Sequence, residues 1–169
     1  MMKYIHYGSS ELASILFNEN LKDNGLLNKP NGGLWASPIG EEYFTWKDWC
    51  EENDFHLDRL NKSFTFELRD PSKIFTIKEP EDILKLDKLG LLYKDDTRTF
   101  DNYYMDWNKI IKLYDGVQLI HGDYYGFFHD VIWFNFDQNQ TKLKKYAGMF
   151  NSWDVDSIII WNESQIVIA

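Results

Sequence analysis

Short apolar runs that end at turn-forming residues recur along the chain in an irregular order, and this order most limits the possible folds. Their lengths and their alternating or uniformly apolar patterns are typical of strands. The predicted strands are Met2–Tyr7, Leu34–Pro38, Ser63–Leu68, Ile74–Ile77, Val117–Ile120, Val131–Phe136, Asp156–Trp161 and Gln165–Ile168. Because no regular strand–helix–strand alternation links them, the pattern predicts an α+β fold rather than a doubly wound parallel sheet.

Helices are predicted where apolar residues recur at helical spacing, often behind a capping residue. The predicted helices are Glu11–Asn18, Tyr43–Asn53, Asp101–Leu113 and Thr141–Met149, together with a helix that begins at Pro80 and stops at Gly90. The stretch from Asn24 to Gly33 is predicted as a loop because Asn and Gly cluster there. No repeat or long linker divides the chain, so residues 1–169 are expected to form a single domain.

Composition and charge exclude several classes of function. The net charge of −9 and the presence of only three Arg argue against broad binding to nucleic acid, which requires cations to neutralise phosphates. An acidic chain is compatible with a protein partner or a small-molecule substrate. Cys50 is the single cysteine, which excludes an internal disulfide and a cysteine-based metal cluster. No apolar run is long enough for a bilayer, and a strand-like segment begins at once, so we expect no membrane contact and a cytoplasmic location.

Familiar catalytic motifs are missing from the sequence. It contains no phosphate-binding loop with Lys, no Gly-x-Ser-x-Gly, no His-Glu-x-x-His and no paired cysteines. Two loop histidines, His121 and His129, lie near Asp123 and Asp130, but this pattern is weak for a metal site and none is predicted. Polar and aromatic residues at the ends of predicted strands remain as candidates: His6, Tyr7, Trp35, Ser37, Asp154 and Asp156.

The order of these segments resembles the ADP-ribosyltransferase fold of the diphtheria-toxin and poly(ADP-ribose)-polymerase class. Ile5-His6-Tyr7-Gly8-Ser9 is similar to the family's first strand, which carries a His, and Gly33-Leu34-Trp35-Ala36-Ser37-Pro38 is similar to its second. Asp156-Ser157-Ile158-Ile159-Ile160-Trp161 resembles the late strand that begins with a catalytic acid. The resemblance implies two small packed sheets, mixed or antiparallel, flanked by helices.

The resemblance also implies a set of site residues. Asp156 would stabilise the positive charge that builds on the ribose, and His6 would hydrogen-bond a ribose hydroxyl. Trp35 would hold the nicotinamide ring together with Trp46, which lies eleven residues further on, or with Tyr43. The remaining candidates for NAD binding are Tyr7, Gly8, Ser37 and Asp154.

Two departures from the family pattern keep a second interpretation open. The acid position holds Asp156 where Glu is usual, and the ring positions hold Trp where Tyr is usual. In the first interpretation Asp156 is the catalytic acid, so that Asp156→Asn removes activity and leaves folding almost unchanged. In the second, Asp154 and Asp156 cap a turn before the last strands and have no catalytic part.

The function implied by the resemblance is that of an NAD-dependent mono-ADP-ribosyltransferase with NAD as co-substrate. Its target would be a macromolecule, and a host or other target protein is favoured over a nucleic acid. Such an enzyme would act as a toxin, a viral effector or an inhibitor of a defence system. The alternative is a catalytically inactive acidic inhibitor that keeps the fold and blocks a partner. A third interpretation is an NAD hydrolase or a sensor of an adenine-nucleotide signal. The acceptor stays open among Arg, Glu, Ser and Asn side chains, a base, and water.

Overall fold

One seven-stranded sheet forms the centre of the described fold. The computed structural model describes residues 2–14, 17, 22–23, 28–96, 103–129 and 142–168. Its strands are β1 (Lys3–Tyr7), β2 (Lys22–Asp23), β3 (Pro30–Asn31), β4 (Leu34–Pro38), β5 (Ser63–Leu68), β6 (Ile74–Ile77), β7 (Leu92–Lys94), β8 (Tyr103–Met105), β9 (Gly116–Leu119), β10 (Ser157–Ile160) and β11 (Ile166–Ile168). Its α-helices are α1 (Trp46–Glu52), α2 (Pro80–Lys88), α3 (Trp107–Ile110) and α4 (Tyr125–His129). This mixture agrees with the predicted α+β class.

The large sheet has the strand order β11-β5-β1-β4-β10-β9-β6. Its neighbours are antiparallel except for the parallel pair β6 and β9. Two further sheets of two strands each pair β2 with β3 and β7 with β8. The described strands therefore form one large sheet with two ribbons, because β4 pairs with both β1 and β10 and joins what would otherwise be two separate sheets.

The large sheet is covered by apolar clusters on both faces at β10. Ile158 and Ile160 of β10 pack into a cluster with residues of β1, β4 and β5, whereas Ile159 points into the cluster around α2, α3 and β9. Successive side chains of a strand face opposite sides, so a strand with two apolar clusters needs apolar residues at every position. This explains why the predicted strand reads as a continuous apolar run rather than as an alternating one.

Several predicted helices are shorter or absent. α1 begins at Trp46 rather than Tyr43 because Thr45 and Asp48 form a capping box there. Residues 103–105 form β8, which pairs with β7, so the predicted helix over this stretch is wrong, and α3 begins only after the Asp106 cap. In place of the predicted helix up to Met149, residues 142–150 form turns and one short 3₁₀ segment.

Parts of the predicted elements lie outside the described residues. The strand Val131–Phe136 lies there entirely, as do the first residues of the helices predicted from Asp101 and Thr141. Of the helix predicted over Glu11–Asn18, the described part holds a 3₁₀ turn at Leu12–Ser14. No helix in the described ranges has the length and apolar character that crossing a membrane requires.

Candidate functional site

A cleft forms where β1 and β4 separate. β1 pairs with β5 along its whole length, but with β4 only at Tyr4↔Pro38 and Ile5↔Ser37. Residues of both strands line a cavity of about 340 Å³ at this point. Its described lining residues, hereafter the cleft, are Ile5, His6, Tyr7, Lys29, Pro30, Trp35, Ala36, Ser37, Trp46, Trp153, Asp154, Val155 and Ser157.

The His6 ring bonds across to β4 at the point where β1 and β4 separate. Its Nδ1 lies 2.7 Å from the carbonyl oxygen of Trp35 on the neighbouring strand. A carbonyl oxygen only accepts, so Nδ1 carries the hydrogen and donates it. Burial lowers the pKa of His6, although the bond to Trp35 opposes this shift, so the ring is neutral near pH 7. The neutral ring is left with Nε2 as a hydrogen-bond acceptor.

Trp35 is the half-buried residue of an otherwise buried strand. Its ring meets the Trp153 ring edge to face, with centroids 4.8 Å apart. The Nζ of Lys29 lies 5.7 Å from the Trp35 ring centroid, which is within the range of a cation–π contact. Trp35 therefore presents an aromatic surface to the cleft with a cation beside it.

Trp46 reaches the cleft because Ser37 fixes the start of α1. The buried Ser37 hydroxyl accepts a hydrogen bond from the Trp46 N–H at 3.0 Å. The Trp46 ring stacks on Trp49, with centroids 5.1 Å apart, and Phe55 packs against both rings. Trp35 and Trp46, two of the residues that the resemblance assigns to the nicotinamide ring, both line the cleft and are both half-buried.

Asp154 is the carboxylate that lines the cleft. Its side chain is 35% exposed, and its Oδ2 lies 4.0 Å from Lys29 Nζ. Burial lowers the pKa of Lys29, while the Asp154 carboxylate opposes that shift. The cleft thus holds the partly exposed Asp154 carboxylate next to the partly buried amino group of Lys29.

Asp156, the acid expected under the ribose, lies outside the cleft lining and is only 4% exposed. Its Oδ2 accepts from the Phe44 N–H at 3.0 Å, and its Oδ1 accepts from the His121 N–H at 2.6 Å. His121 Nδ1 lies 3.2 Å from the same Oδ1. The carboxylate thus ties the loop before α1 and the end of β9 to the start of β10, which is a structural role between distant segments rather than the cap of a local turn.

Two other predicted residues also lie outside the cleft. Gly8 has φ 106, and its N–H donates to the carbonyl of Lys62 at 2.8 Å, so β1 ends beside the residue that precedes β5. Tyr43 lines a neighbouring groove that shares Ile5 and Tyr7 with the cleft. Of the two rings proposed to accompany Trp35, only Trp46 lies with it in the cleft.

His121 and His129 lie behind the cleft. Their ring centroids are 5.6 Å apart, and His129 Nε2 donates to the carbonyl of the cleft residue Trp153 at 3.1 Å. His121 Nε2 is buried and has no hydrogen-bond partner among the described residues. Across the described ranges no group of three or more His, Cys, Asp or Glu side chains is arranged to hold a metal, and Asp130 lies outside those ranges.

Sequence reasoning missed the segment that carries Lys29 and the residue that anchors it. Asn28 is buried at φ 49, and its side chain donates to Met149 O at 2.7 Å and to Tyr103 O at 3.1 Å while accepting from Met105 N at 2.8 Å. The carbonyl of Asn28 also accepts from Trp153 Nε1 at 3.0 Å. Asn tolerates positive φ and carries both donors and an acceptor, so an Asn before Lys-Pro in a loop was the available signal.

Comparison with protein-family models, with curated proteins and with solved structures finds no match for this chain.

Proposed function

We propose that the cleft binds the nicotinamide and ribose of NAD, and that the protein is an NAD-dependent mono-ADP-ribosyltransferase of the diphtheria-toxin and poly(ADP-ribose)-polymerase class. The observation that carries the proposal is the meeting of three groups in one cleft: the half-buried Trp35 and Trp46, the tautomer-fixed His6, and the carboxylate of Asp154. The cleft volume of about 340 Å³ lies within the range of about 300–1,000 Å³ common for small-molecule sites.

The aromatic side chains would bind the flat nicotinamide ring. Trp35 and Trp46 both line the cleft and are both partly exposed, which leaves ring surface for offset stacking. The edge contact of Trp153 and the hydrogen bond from Trp46 N–H to Ser37 hold these two residues in place before any ligand binds. A site organised in advance loses less side-chain entropy on binding.

The polar side chains would bind the ribose and the phosphates. Neutral His6 offers Nε2 as an acceptor for a ribose hydroxyl. Lys29 carries the positive charge that the phosphates need, and it lies against the Trp35 ring and beside Asp154. His6 and Lys29 would thus bind different parts of NAD: the ribose hydroxyl needs an acceptor, and the phosphates need a cation.

Asp154 is the carboxylate that we assign to the chemical step. When the bond between the ribose and nicotinamide breaks, its electron pair leaves with the nicotinamide nitrogen, and positive charge builds on the sugar. A carboxylate beside the sugar stabilises that charge. The acceptor atom of the target then bonds to the same ribose carbon and loses its proton to water. Asp154 lines the cleft, whereas Asp156 is engaged with two backbone N–H groups.

A second candidate function is a binding protein that blocks its partner without catalysis. The observation that favours it is the burial of Asp156, the residue that resembles the family's catalytic acid. In this case Asp154 would be a surface acid paired with Lys29 at 4.0 Å. The charge of −9 suits a partner with a basic surface.

Mass spectrometry of candidate target proteins after incubation with this protein and NAD tests the proposal. An added ADP-ribose that depends on His6 and Asp154 is expected. Thermal unfolding with and without NAD separates the two candidate functions, because a ligand that binds the folded state raises its stability. Stabilisation by NAD favours the transferase, and its absence at millimolar NAD favours the blocking protein.

A further inference from the structure

A second, larger groove adjoins the cleft. It has a volume of about 900 Å³ and shares the lining residues Ile5 and Tyr7 with the cleft, so the two lie side by side. The loop between β4 and α1 supplies much of its wall, and α1 supplies Asp48 and Glu52. We call it the acidic groove, after its carboxylates Glu41, Glu42, Asp48 and Glu52.

The charge of the acidic groove has a single sign. None of its described lining residues is Lys or Arg. The nearby Lys47 lies 3.6 Å from Glu51 and is therefore already paired. The pKa of the groove residue Tyr7 is raised, first by burial and then by the Asp48 and Glu51 carboxylates, as expected in a negative potential.

Apolar residues also line the acidic groove, and its loop is fixed at both ends. Ile39 is 44% exposed, and Pro38 and Phe44 lie beside it in the groove. The Ile39 N–H donates to Lys3 O at 2.9 Å, and the Phe44 N–H donates to Asp156 at 3.0 Å, so both ends of the loop are tied to the sheet. A groove with both apolar residues and carboxylates matches Lys and Arg side chains. Their aliphatic parts can pack on the apolar residues while their charged ends reach the carboxylates.

We infer that the acidic groove docks a basic segment of the target protein and presents it to the cleft. The inference rests on the proposed function for the existence of a target protein. For the site it rests on charge complementarity and on the position of the groove beside the cleft. Anionic partners are disfavoured here by the four carboxylates. The same repulsion directs the phosphates of NAD away from the groove and toward Lys29, which is not among its lining residues. Donor and acceptor then approach the cleft from surfaces of opposite charge.

The test uses the full chain and two labelled peptides, one rich in Arg and Lys and one with Glu in place of each basic residue. The groove variant is Glu41→Lys with Glu52→Lys. The matched control is Glu81→Lys with Glu163→Lys, which changes the net charge equally at exposed residues that line neither the cleft nor the groove. Fluorescence anisotropy should show that the basic peptide binds the wild type and the control, and binds the groove variant at least about tenfold more weakly. The acidic peptide should not bind.

Four results would overturn the inference: no binding of the basic peptide to the wild type, equal weakening in both variants, undiminished binding to the groove variant, or binding of the acidic peptide. Release of nicotinamide from NAD, measured on the wild type with candidate target proteins present and without peptide, tests the proposed function separately. If the peptide binds in the groove but no nicotinamide is released, docking stands and the transferase assignment fails. If nicotinamide is released but the groove variant binds the peptide as the wild type does, the assignment stands and docking fails.

Discussion

Asp156→Asn distinguishes the structural role of this carboxylate from a catalytic one. Asp156 accepts hydrogen bonds from the N–H groups of Phe44 and His121, one on each oxygen, at 3.0 and 2.6 Å. Asn has a single acceptor oxygen, so its amide group must face one of these N–H donors. Leaving a buried donor without an acceptor costs about 1–3 kcal/mol, and loss of the charge weakens the other bond by about 1 kcal/mol.

The expected loss of unfolding free energy is therefore about 3 kcal/mol. For a chain of this length, 1 kcal/mol corresponds to about 2–4 °C, so thermal unfolding should shift by about 6–12 °C. The matched control is Asp154→Asn, whose carboxylate is 35% exposed and lies 4.0 Å from Lys29 Nζ. Its unfolding temperature should stay within about 2 °C of the wild type.

Circular dichroism during heating measures both variants. An Asp156→Asn protein that unfolds within about 1 °C of the wild type would refute the structural role. If that variant also lost NAD-dependent activity, Asp156 would be the catalytic acid that the sequence resemblance implies. Equal destabilisation by both Asn variants would refute the distinction between the two residues.

Other perturbations follow from the same contacts. Ser37→Ala should lower the unfolding free energy, measured in urea, by about 1–2 kcal/mol, because it leaves the Trp46 N–H without its acceptor; no change would contradict this. Burial lowers the pKa of His6 and of His129, so the unfolded chain binds protons more readily and stability falls as the pH falls below about 6.5. Urea denaturation at about pH 7.5 and 5.5 should show a smaller decline in His6→Gln than in the wild type, and an equal decline would argue against a buried neutral ring. Asn28→Ala removes three side-chain hydrogen bonds at a positive φ and should cost about 3 kcal/mol in the same assay, whereas a loss below about 1 kcal/mol would contradict the anchoring role.

Strands with a local signature were predicted well. β4, β5 and β6 have the bounds that the sequence indicated, since proline, turn residues and alternation mark their ends. The strand at 103–105 was missed because Tyr103-Tyr104-Met105 is compatible with both a helical and a strand periodicity. Pairing with β7 makes this segment a strand. Pairing partners are distant in sequence, so no local pattern reveals them.

The two acids show why the site was predicted only in part. Strand alternation puts Asp154 and Asp156 on one face, yet β10 begins only at Ser157, and the bent backbone before it sends Asp154 to the cleft and Asp156 into the interior. The partners that hold Asp156 are 112 and 35 residues away. Lys29 was not predicted as a cleft residue for a similar reason. The residues that bind Asn28, and so bring Lys29 to the cleft, are distant in sequence.

Nicotinamide release from NAD, followed by chromatography, tests the central claim most directly. With candidate target proteins present, the wild type should release nicotinamide, and Asp154→Asn should release it at least about 10²-fold more slowly while unfolding at nearly the same temperature. Release that is equal in the wild type and in Asp154→Asn would contradict the role given to this carboxylate. No release by the wild type, together with no binding of NAD at millimolar concentration, would contradict the transferase assignment itself.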